Sequence, residues 1–107
     1  MPVTEIEPLE LKRRQDSGET VRLIDVREPW EVAIASVPGA VNIPLNELPR
    51  RLQELDPGAE IVVMCKVGGR SSRAAAFLMT RGFQHVTNLA GGIEAWARDI
   101  DPTLQSY

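Results

Sequence analysis

The chain has 107 residues, 43% of them hydrophobic and 25% charged, which is typical of one globular domain spanning residues 1–107. Twelve basic residues against fifteen acidic ones leave a net charge of -3, which argues against nucleic acid as the main partner. A single cysteine, Cys65, excludes an internal disulfide bond and a metal site built from several cysteines. No apolar run approaches the roughly 20 residues of a membrane helix, and the N-terminus lacks a signal-peptide pattern. We therefore expect a cytoplasmic protein with no membrane partner.

Helical and extended segments alternate along the first half of the chain. A proline at the first position and a glycine after the last one predict a helix from Pro8 to near Gly18. The apolar, β-branched run Val21–Val26 predicts a buried strand. One or two helical turns within Glu28–Ile34 and a second short strand at Ala40–Ile43 complete this half.

The same alternation continues in the second half. Leucines at helical spacing predict an amphipathic helix over Asn46–Leu55, with Asn46 as its N-cap. Ile61–Cys65 is the clearest strand of the chain and Ser71–Arg81 the clearest helix, and Val86–Leu89 predicts a last short strand.

A final helix is predicted to turn one apolar face inward, formed by Ile93, Trp96 and Ala97. Short strands that alternate with helices are typical of a sheet covered on both faces. The sequence therefore predicts an α/β fold, a three-layer sandwich around a mostly parallel central sheet.

The most informative segment is Ile61–Arg73, I-V-V-M-C-K-V-G-G-R-S-S-R, in which a buried strand ends in a cysteine and a glycine loop leads into a helix. Ligands of α/β proteins bind at the carboxyl edge of the sheet. A helix N-terminus there offers free backbone N–H groups and a partial positive charge. Gly68 and Gly69 let the loop curl so that its N–H groups converge on an anion.

Cys65 in this setting is predicted to be a nucleophile. Lys66, Arg70 and Arg73 add positive charge nearby, so the pKa of the thiol should be depressed and the thiolate abundant near neutral pH. Such a thiolate needs no adjacent base. The alternative is that Cys65 serves as a small hydrophobic residue at the end of a core strand.

Two residues of a neighbouring strand end, Asp25 and Arg27, could face the same edge of the sheet. They would either brace the loop and attract an anionic donor, or form a structural contact that fixes the turn. His85 has no second histidine for a metal site and no nucleophile beside it, so we interpret it as structural.

The remaining candidates are predicted to be structural. Ser71 and Ser72 suit helix caps better than nucleophiles. Trp30 and Trp96 are expected in the core or in a cleft wall, and the Gly91-Gly92 pair lacks the G-x-G-x-x-G spacing of dinucleotide sites.

Four blocks of the sequence together resemble the rhodanese-like domains, and the resemblance covers nearly the whole chain. The blocks are Leu23–Glu31, Val37–Pro44, Cys65–Ser71 and Gly82–Trp96, in the family's order. The resemblance implies that Cys65 accepts a sulfane sulfur as a persulfide and passes it to an acceptor. The loop that would hold the persulfide anion comprises Lys66, Val67, Gly68, Gly69, Arg70 and Ser71.

The resemblance also suggests a donor and possible acceptors. Thiosulfate is the default donor, because the loop C-K-V-G-G-R differs from the C-G-S-G-V-T type of mercaptopyruvate-using relatives and because Lys66 and Arg70 suit a dianion. A persulfide from a cysteine desulfurase stays open as a donor, and cyanide, a small thiol, thioredoxin or a sulfur-carrier protein as acceptors. No metal and no organic cofactor are implied. The tail Ala95–Tyr107 resembles that of rhodanese domains fused to adenylyltransferases of molybdopterin and thiolated-tRNA pathways.

Two other functions compete with sulfur transfer. Rhodanese-like domains without the cysteine serve as non-catalytic binding modules, but Cys65 is present here. Related cysteine-dependent phosphatases and arsenate reductases place an arginine six residues after the cysteine. Here Arg70 is five residues after Cys65 and Ser71 stands in the sixth position, so the loop is one residue too short for that chemistry.

Overall fold

The computed structural model describes residues 2–107 and is built on a five-stranded sheet. The strands are β1 (Thr4–Ile6), β2 (Arg22–Asp25), β3 (Val41–Asn42), β4 (Ile61–Met64) and β5 (Val86–Leu89). Their order across the sheet is β1-β5-β4-β2-β3, and every neighbouring pair is parallel. All strands therefore end at the same edge of the sheet, where β4 leads directly into Cys65.

Four helices cover the sheet: α1 (Pro8–Asp16), α2 (Pro29–Ile34), α3 (Gly69–Thr80) and α4 (Gly92–Asp99). The core divides into two apolar clusters because successive side chains of a strand point to opposite faces. Val63 of β4 belongs to the cluster beneath α3, and the preceding Val62 belongs to the cluster that contains Leu11 of α1 and Trp96 of α4. The predicted three-layer α/β sandwich is confirmed, with a sheet that is parallel throughout.

The predicted amphipathic helix over Asn46–Leu55 is wrong. This segment forms two short 3₁₀ helices, Leu45–Arg50 and Leu52–Glu54, and Asn46 is not an N-cap. Pro49 inside the segment explains the difference, because proline has no N–H to donate and its ring disfavours the α-helical turn before it. The apolar spacing still places Leu48 in the core, where it is fully buried.

The start of α3 also differs from the prediction. The helix begins at Gly69, two residues before the expected position, and its N-cap is Gly68, whose φ of +118° suits only glycine. Neither Ser71 nor Ser72 caps the helix, so that prediction is wrong. Ser71 lies instead inside the first turn, where its side chain is buried.

None of the helices within residues 2–107 is long and apolar enough to cross a membrane. The longest of them, α3, has 12 residues.

Candidate active site

The loop after β4 curls around the sulfur of Cys65. The backbone N–H groups of Gly68 and Ser71 point at this sulfur, with nitrogen–sulfur distances of 3.1 and 3.4 Å. The Ser71 hydroxyl lies 3.2 Å from the same sulfur. The left-handed conformation of Gly68 turns the chain so that these donors converge, as the glycine loop predicted.

Opposing effects act on the pKa of Cys65, and their balance lowers it. Burial of the thiol raises the pKa, because a charged sulfur loses its contact with water. Hydrogen bonds from the Ser71 hydroxyl and from the N–H groups of Ser71, Gly68 and Val67 lower it, and together they prevail. The donors are thus backbone amides and a hydroxyl; within residues 2–107 no basic side chain donates a hydrogen bond to the sulfur.

A buried asparagine that sequence reasoning missed supports this loop. Asn88 of β5 accepts a hydrogen bond from the Ser71 hydroxyl at 2.5 Å and donates to the Gly68 carbonyl at 3.1 Å and to Glu5 at 3.3 Å. Because the Asn88 amide nitrogen faces two acceptors, its oxygen must face Ser71. The Ser71 hydroxyl therefore has one proton and three possible acceptors, the Cys65 sulfur, the Asn88 oxygen and the Gly68 carbonyl. The signal in the sequence is that half of the short strand V-T-N-L is polar.

The Gly91-Gly92 pair anchors the other side of the loop. Both glycines have positive φ, and a Cβ at Gly92 would lie 2.4 Å from the Lys66 carbonyl oxygen and 2.5 Å from that of Cys65. The helix that begins there donates from the Ile93 N–H to the Cys65 carbonyl at 2.9 Å. The close approach of α4 to the loop therefore requires glycine, a role that the spacing analysis did not anticipate.

Arg70 is engaged by a carboxylate that the sequence analysis did not select. Its guanidinium forms two hydrogen bonds to Glu31 of α2, at 2.6 and 2.9 Å. This bond to Arg70 lowers the pKa of Glu31 to about 2, although the burial of the carboxyl acts in the opposite direction. The spacing E-P-W-E, with Glu31 three residues after the N-cap Glu28, is the signal that could have drawn attention to it.

Asp25 and Arg27 form a completely buried ion pair, with a nitrogen–oxygen distance of 2.7 Å. Arg27 also donates to the Ala35 carbonyl and to the Tyr107 hydroxyl, both at 2.8 Å. Because its guanidinium is enclosed in this way, Arg27 is not available to a ligand. The geometry therefore favours the structural alternative for this pair. Hydrogen bonds from Arg27 to the Tyr107 hydroxyl and from that hydroxyl to Glu31 connect the pair to the site.

The site mouth consists of Lys66, Val67 and Arg70 with the neighbouring Tyr107. Val67 is 58% exposed, and Lys66 lies 3.8 Å from Glu94 and 4.6 Å from the centre of the Tyr107 ring. Two further basic residues were predicted to add positive charge near Cys65. Of these, Arg70 is paired with Glu31, and Arg73 is exposed on α3. A cleft of about 390 Å³ opens next to Lys66, between α4 and the tail, and Cys65 does not line it.

The remaining candidate residues lie outside this arrangement. Trp96 is buried in the core as expected, whereas Trp30 is 62% exposed and packs edge-on against Tyr107 at 5.9 Å between ring centres. Trp30 is therefore neither a core residue nor a residue lining the 390 Å³ cleft. His85 is exposed and lies 3.9 Å from Glu60, at the end of the sheet opposite Cys65.

The family pattern described as "Rhodanese-like domain" matches residues 7–99. The chain belongs to the rhodanese-like domain family. A sulfurtransferase of Allochromatium vinosum is 41% identical over 96 residues, which cover 90% of both chains. The crystal structure of a rhodanese-like domain protein from Staphylococcus aureus superposes with a TM-score of 0.85 at 28% identity, covering 98% of this chain and 99% of the other. A transferase of the rhodanese type is the class that this relationship supports.

Proteins that join an adenylyltransferase to a sulfurtransferase are also among the relatives. An adenylyltransferase and sulfurtransferase of Zea mays is 37% identical over 105 residues. The match covers 92% of this rhodanese-like chain but only 22% of the maize protein. The maize protein therefore carries much that this chain does not match.

Proposed function

We propose that this rhodanese-like domain transfers sulfane sulfur through a persulfide on Cys65. The observation that carries the proposal is the set of three donors, two N–H groups and one hydroxyl, that converge on the sulfur from Gly68 and Ser71. Donors fixed in this way stabilise the Cys65 thiolate, which starts the reaction as nucleophile and is released again when the acceptor takes the sulfur.

In the first half-reaction, the Cys65 thiolate attacks the outer sulfur of the donor. With thiosulfate, the new S–S bond forms as the S–SO₃ bond breaks, and sulfite leaves with the electron pair, so that Cys65–S–S⁻ and SO₃²⁻ result. In the second half-reaction, an acceptor nucleophile attacks the outer sulfur and Cys65 leaves as thiolate. Such a scheme gives ping-pong kinetics and needs neither metal nor organic cofactor.

The acceptor is a separate molecule in this proposal. The chain has no second cysteine that could resolve the persulfide internally. A sulfur-carrier protein, thioredoxin, a small thiol or cyanide would serve as acceptor, and a cysteine desulfurase or a free persulfide as an alternative donor. We place this relay in the cytoplasm, where a lone reactive thiol stays reduced.

The two competing functions are less well supported. A phosphatase needs an arginine free to bind phosphate, whereas Arg70 is held by Glu31 and lies one residue too early in the loop. A purely non-catalytic module would have no use for donors aimed at a thiol.

Mass spectrometry after incubation with thiosulfate, or with an alkyl persulfide, tests the proposal. We expect intact wild-type protein to gain the mass of one sulfur atom, and Cys65→Ser to gain none. No gain from either donor would contradict persulfide chemistry and favour a binding module. Release of phosphate from an aryl phosphate, abolished by Cys65→Ser, would instead establish the phosphatase.

A further inference from the structure

The positive charge of Arg70 is paired with a carboxylate before any substrate binds. Arg70 and Glu31 form a bidentate pair at 2.6 and 2.9 Å, and the Glu31 side chain is only 4% exposed. A bidentate guanidinium–carboxylate pair is strong and geometrically fixed, and here the buried carboxylate holds a guanidinium whose side chain is 32% exposed. The pair therefore brings almost no net charge to the mouth of the site.

Glu31 is also held by groups other than Arg70. One carboxylate oxygen accepts the Glu28 backbone N–H at 2.9 Å, and the other accepts the Tyr107 hydroxyl at 2.8 Å. With both oxygens occupied, the carboxylate does not swing away when a ligand approaches. Lys66, the second cation of the mouth, lies near Glu94 in a similar way, although more loosely at 3.8 Å.

The pairing of Arg70 with Glu31 matters because the two classes of sulfur donor differ in charge. Thiosulfate carries two negative charges, so its attack by the Cys65 thiolate brings three negative charges together. The persulfide group of a carbon-bound thiol carries one negative charge at most, and with an uncharged carbon group R′ its reaction, RS⁻ + R′S–S⁻ → RS–S⁻ + R′S⁻, brings two together. An unpaired cation at the mouth would therefore help thiosulfate more than it helps an alkyl persulfide.

Resting on the proposed sulfur transfer, we propose that Glu31 is a specificity-determining residue that screens Arg70 and so favours a persulfide carried on a thiol over dianionic thiosulfate. The carboxylate acts through the arginine and does not touch the sulfur. The sequence gives thiosulfate as the default donor, whereas this inference favours a persulfide carried on a thiol.

Rates of sulfur loading on Cys65 test the inference, measured as second-order rate constants by mass spectrometry with thiosulfate and with 2-hydroxyethyl persulfide, whose only charged group is the persulfide. We expect Glu31→Gln, which removes the charge but keeps the shape, to raise the thiosulfate constant about tenfold and to leave the persulfide constant within about threefold. In the double variant Glu31→Gln/Arg70→Gln the gain should vanish. The matched control is Glu60→Gln, which makes the same charge change at the opposite edge of the sheet, before β4.

The outcomes separate this inference from the proposed function. Loading of wild type by neither donor would overturn the proposed sulfur transfer itself. Normal persulfide loading, with an unchanged donor ratio in Glu31→Gln or a gain that persists in the double variant, would overturn only the role of Glu31.

A measurement on wild type alone covers the case in which Glu31→Gln does not fold. Raising the ionic strength weakens the attraction of a dianion to an exposed cation. Because Arg70 is paired with Glu31, we expect the rate constant for loading by thiosulfate to stay constant or to rise with ionic strength. A steep fall with salt would show an unscreened cation at the site and would contradict the inference.

Discussion

The reactivity of Cys65 depends on which atoms surround its sulfur. Burial alone would make the thiol inert by raising its pKa, as in most core cysteines. The hydrogen bonds from Ser71, Gly68 and Val67 reverse that effect. Ser71 supplies both its hydroxyl and its backbone N–H to the sulfur. Replacing it by alanine removes only the hydroxyl and so separates the side-chain contribution from the backbone contribution.

Ser71→Ala should raise the pKa of Cys65, because one hydrogen bond to a charged sulfur is lost. The thiolate fraction rises with pH through the pKa, so the variant should react more slowly at neutral pH and need a higher pH for half-maximal rate. The pH profile of alkylation by iodoacetamide measures this shift. Ser72→Ala, one residue further along and without contact to the sulfur, is the control; equal profiles for both variants would contradict the role of the hydroxyl.

The lowered pKa of Glu31 leads to a second prediction, on how the free energy of unfolding depends on pH. Its pKa is lowered to about 2 in the folded protein, from an ordinary value of 4.5. A lowered carboxyl pKa stabilises the fold above the unfolded value, and this stabilisation is lost as the pH falls through the folded value. We expect wild type to lose free energy of unfolding between about pH 5 and pH 2, and Glu31→Gln to lose less. Urea unfolding at several pH values measures this, and identical pH slopes would refute it.

At the scale of elements, the end of β4 is held between the N-termini of two helices. The helix α3 begins directly after the left-handed Gly68, and the N–H groups that reach the sulfur come from this N-cap and from Ser71 in the first turn. On the other side, α4 donates to the carbonyls of Cys65 and Lys66. The position of the nucleophile therefore depends on how closely α4 can approach the loop.

Gly92→Ala should disrupt this approach. The added Cβ would meet two backbone oxygens at 2.4 and 2.5 Å, and alanine disfavours the φ of +59°. We expect a loss of at least about 2 kcal/mol in the free energy of unfolding together with slower sulfur loading. Chemical denaturation measures the first effect. Gly58→Ala, whose Cβ would make only an ordinary 3.5 Å contact, should stay close to wild type; similar losses in both variants would contradict the steric argument.

At the scale of the whole molecule, the tail connects parts of the chain that are far apart in sequence. The Tyr107 hydroxyl accepts from Arg27 and donates to Glu31, which are 80 and 76 residues away. Its ring packs near Lys66 and Trp30. The buried ion pair of Asp25 and Arg27 is thereby linked to the loop that holds Cys65.

Tyr107→Phe removes this hydroxyl and keeps the ring. Because Arg27 and Glu31 each lose a hydrogen bond, we expect the free energy of unfolding to fall by about 1 kcal/mol. Thermal unfolding at neutral pH measures the change. Gln105→Ala, an exposed residue of the same tail, should leave it unaltered. A melting temperature that does not respond to Tyr107→Phe would show that the link adds nothing to stability.

Much of this arrangement is local and could be predicted from the sequence. Strands such as Val86–Leu89 and helices such as α1 follow from apolar periodicity and from the glycine and proline positions that bound them. The loop around Cys65 is contiguous, so its glycines and the following helix could be recognised together. The short 3₁₀ helices around Pro49 were not predicted, because apolar spacing does not separate a 3₁₀ turn from an α-helix.

By itself the sequence determined the α/β fold, the family and the placing of one cysteine in a glycine loop at the end of a strand. The tertiary structure alone decided which distant side chains bind the residues around that cysteine. Arg70 is bound by Glu31, 39 residues away, and Ser71 by Asn88, 17 residues away. The physical reason is that a local pattern sets the backbone, whereas the partner of a long polar side chain depends on which distant segments pack beside it. For this protein, that choice of partners binds the guanidinium of Arg70 to a carboxylate at the mouth of the site.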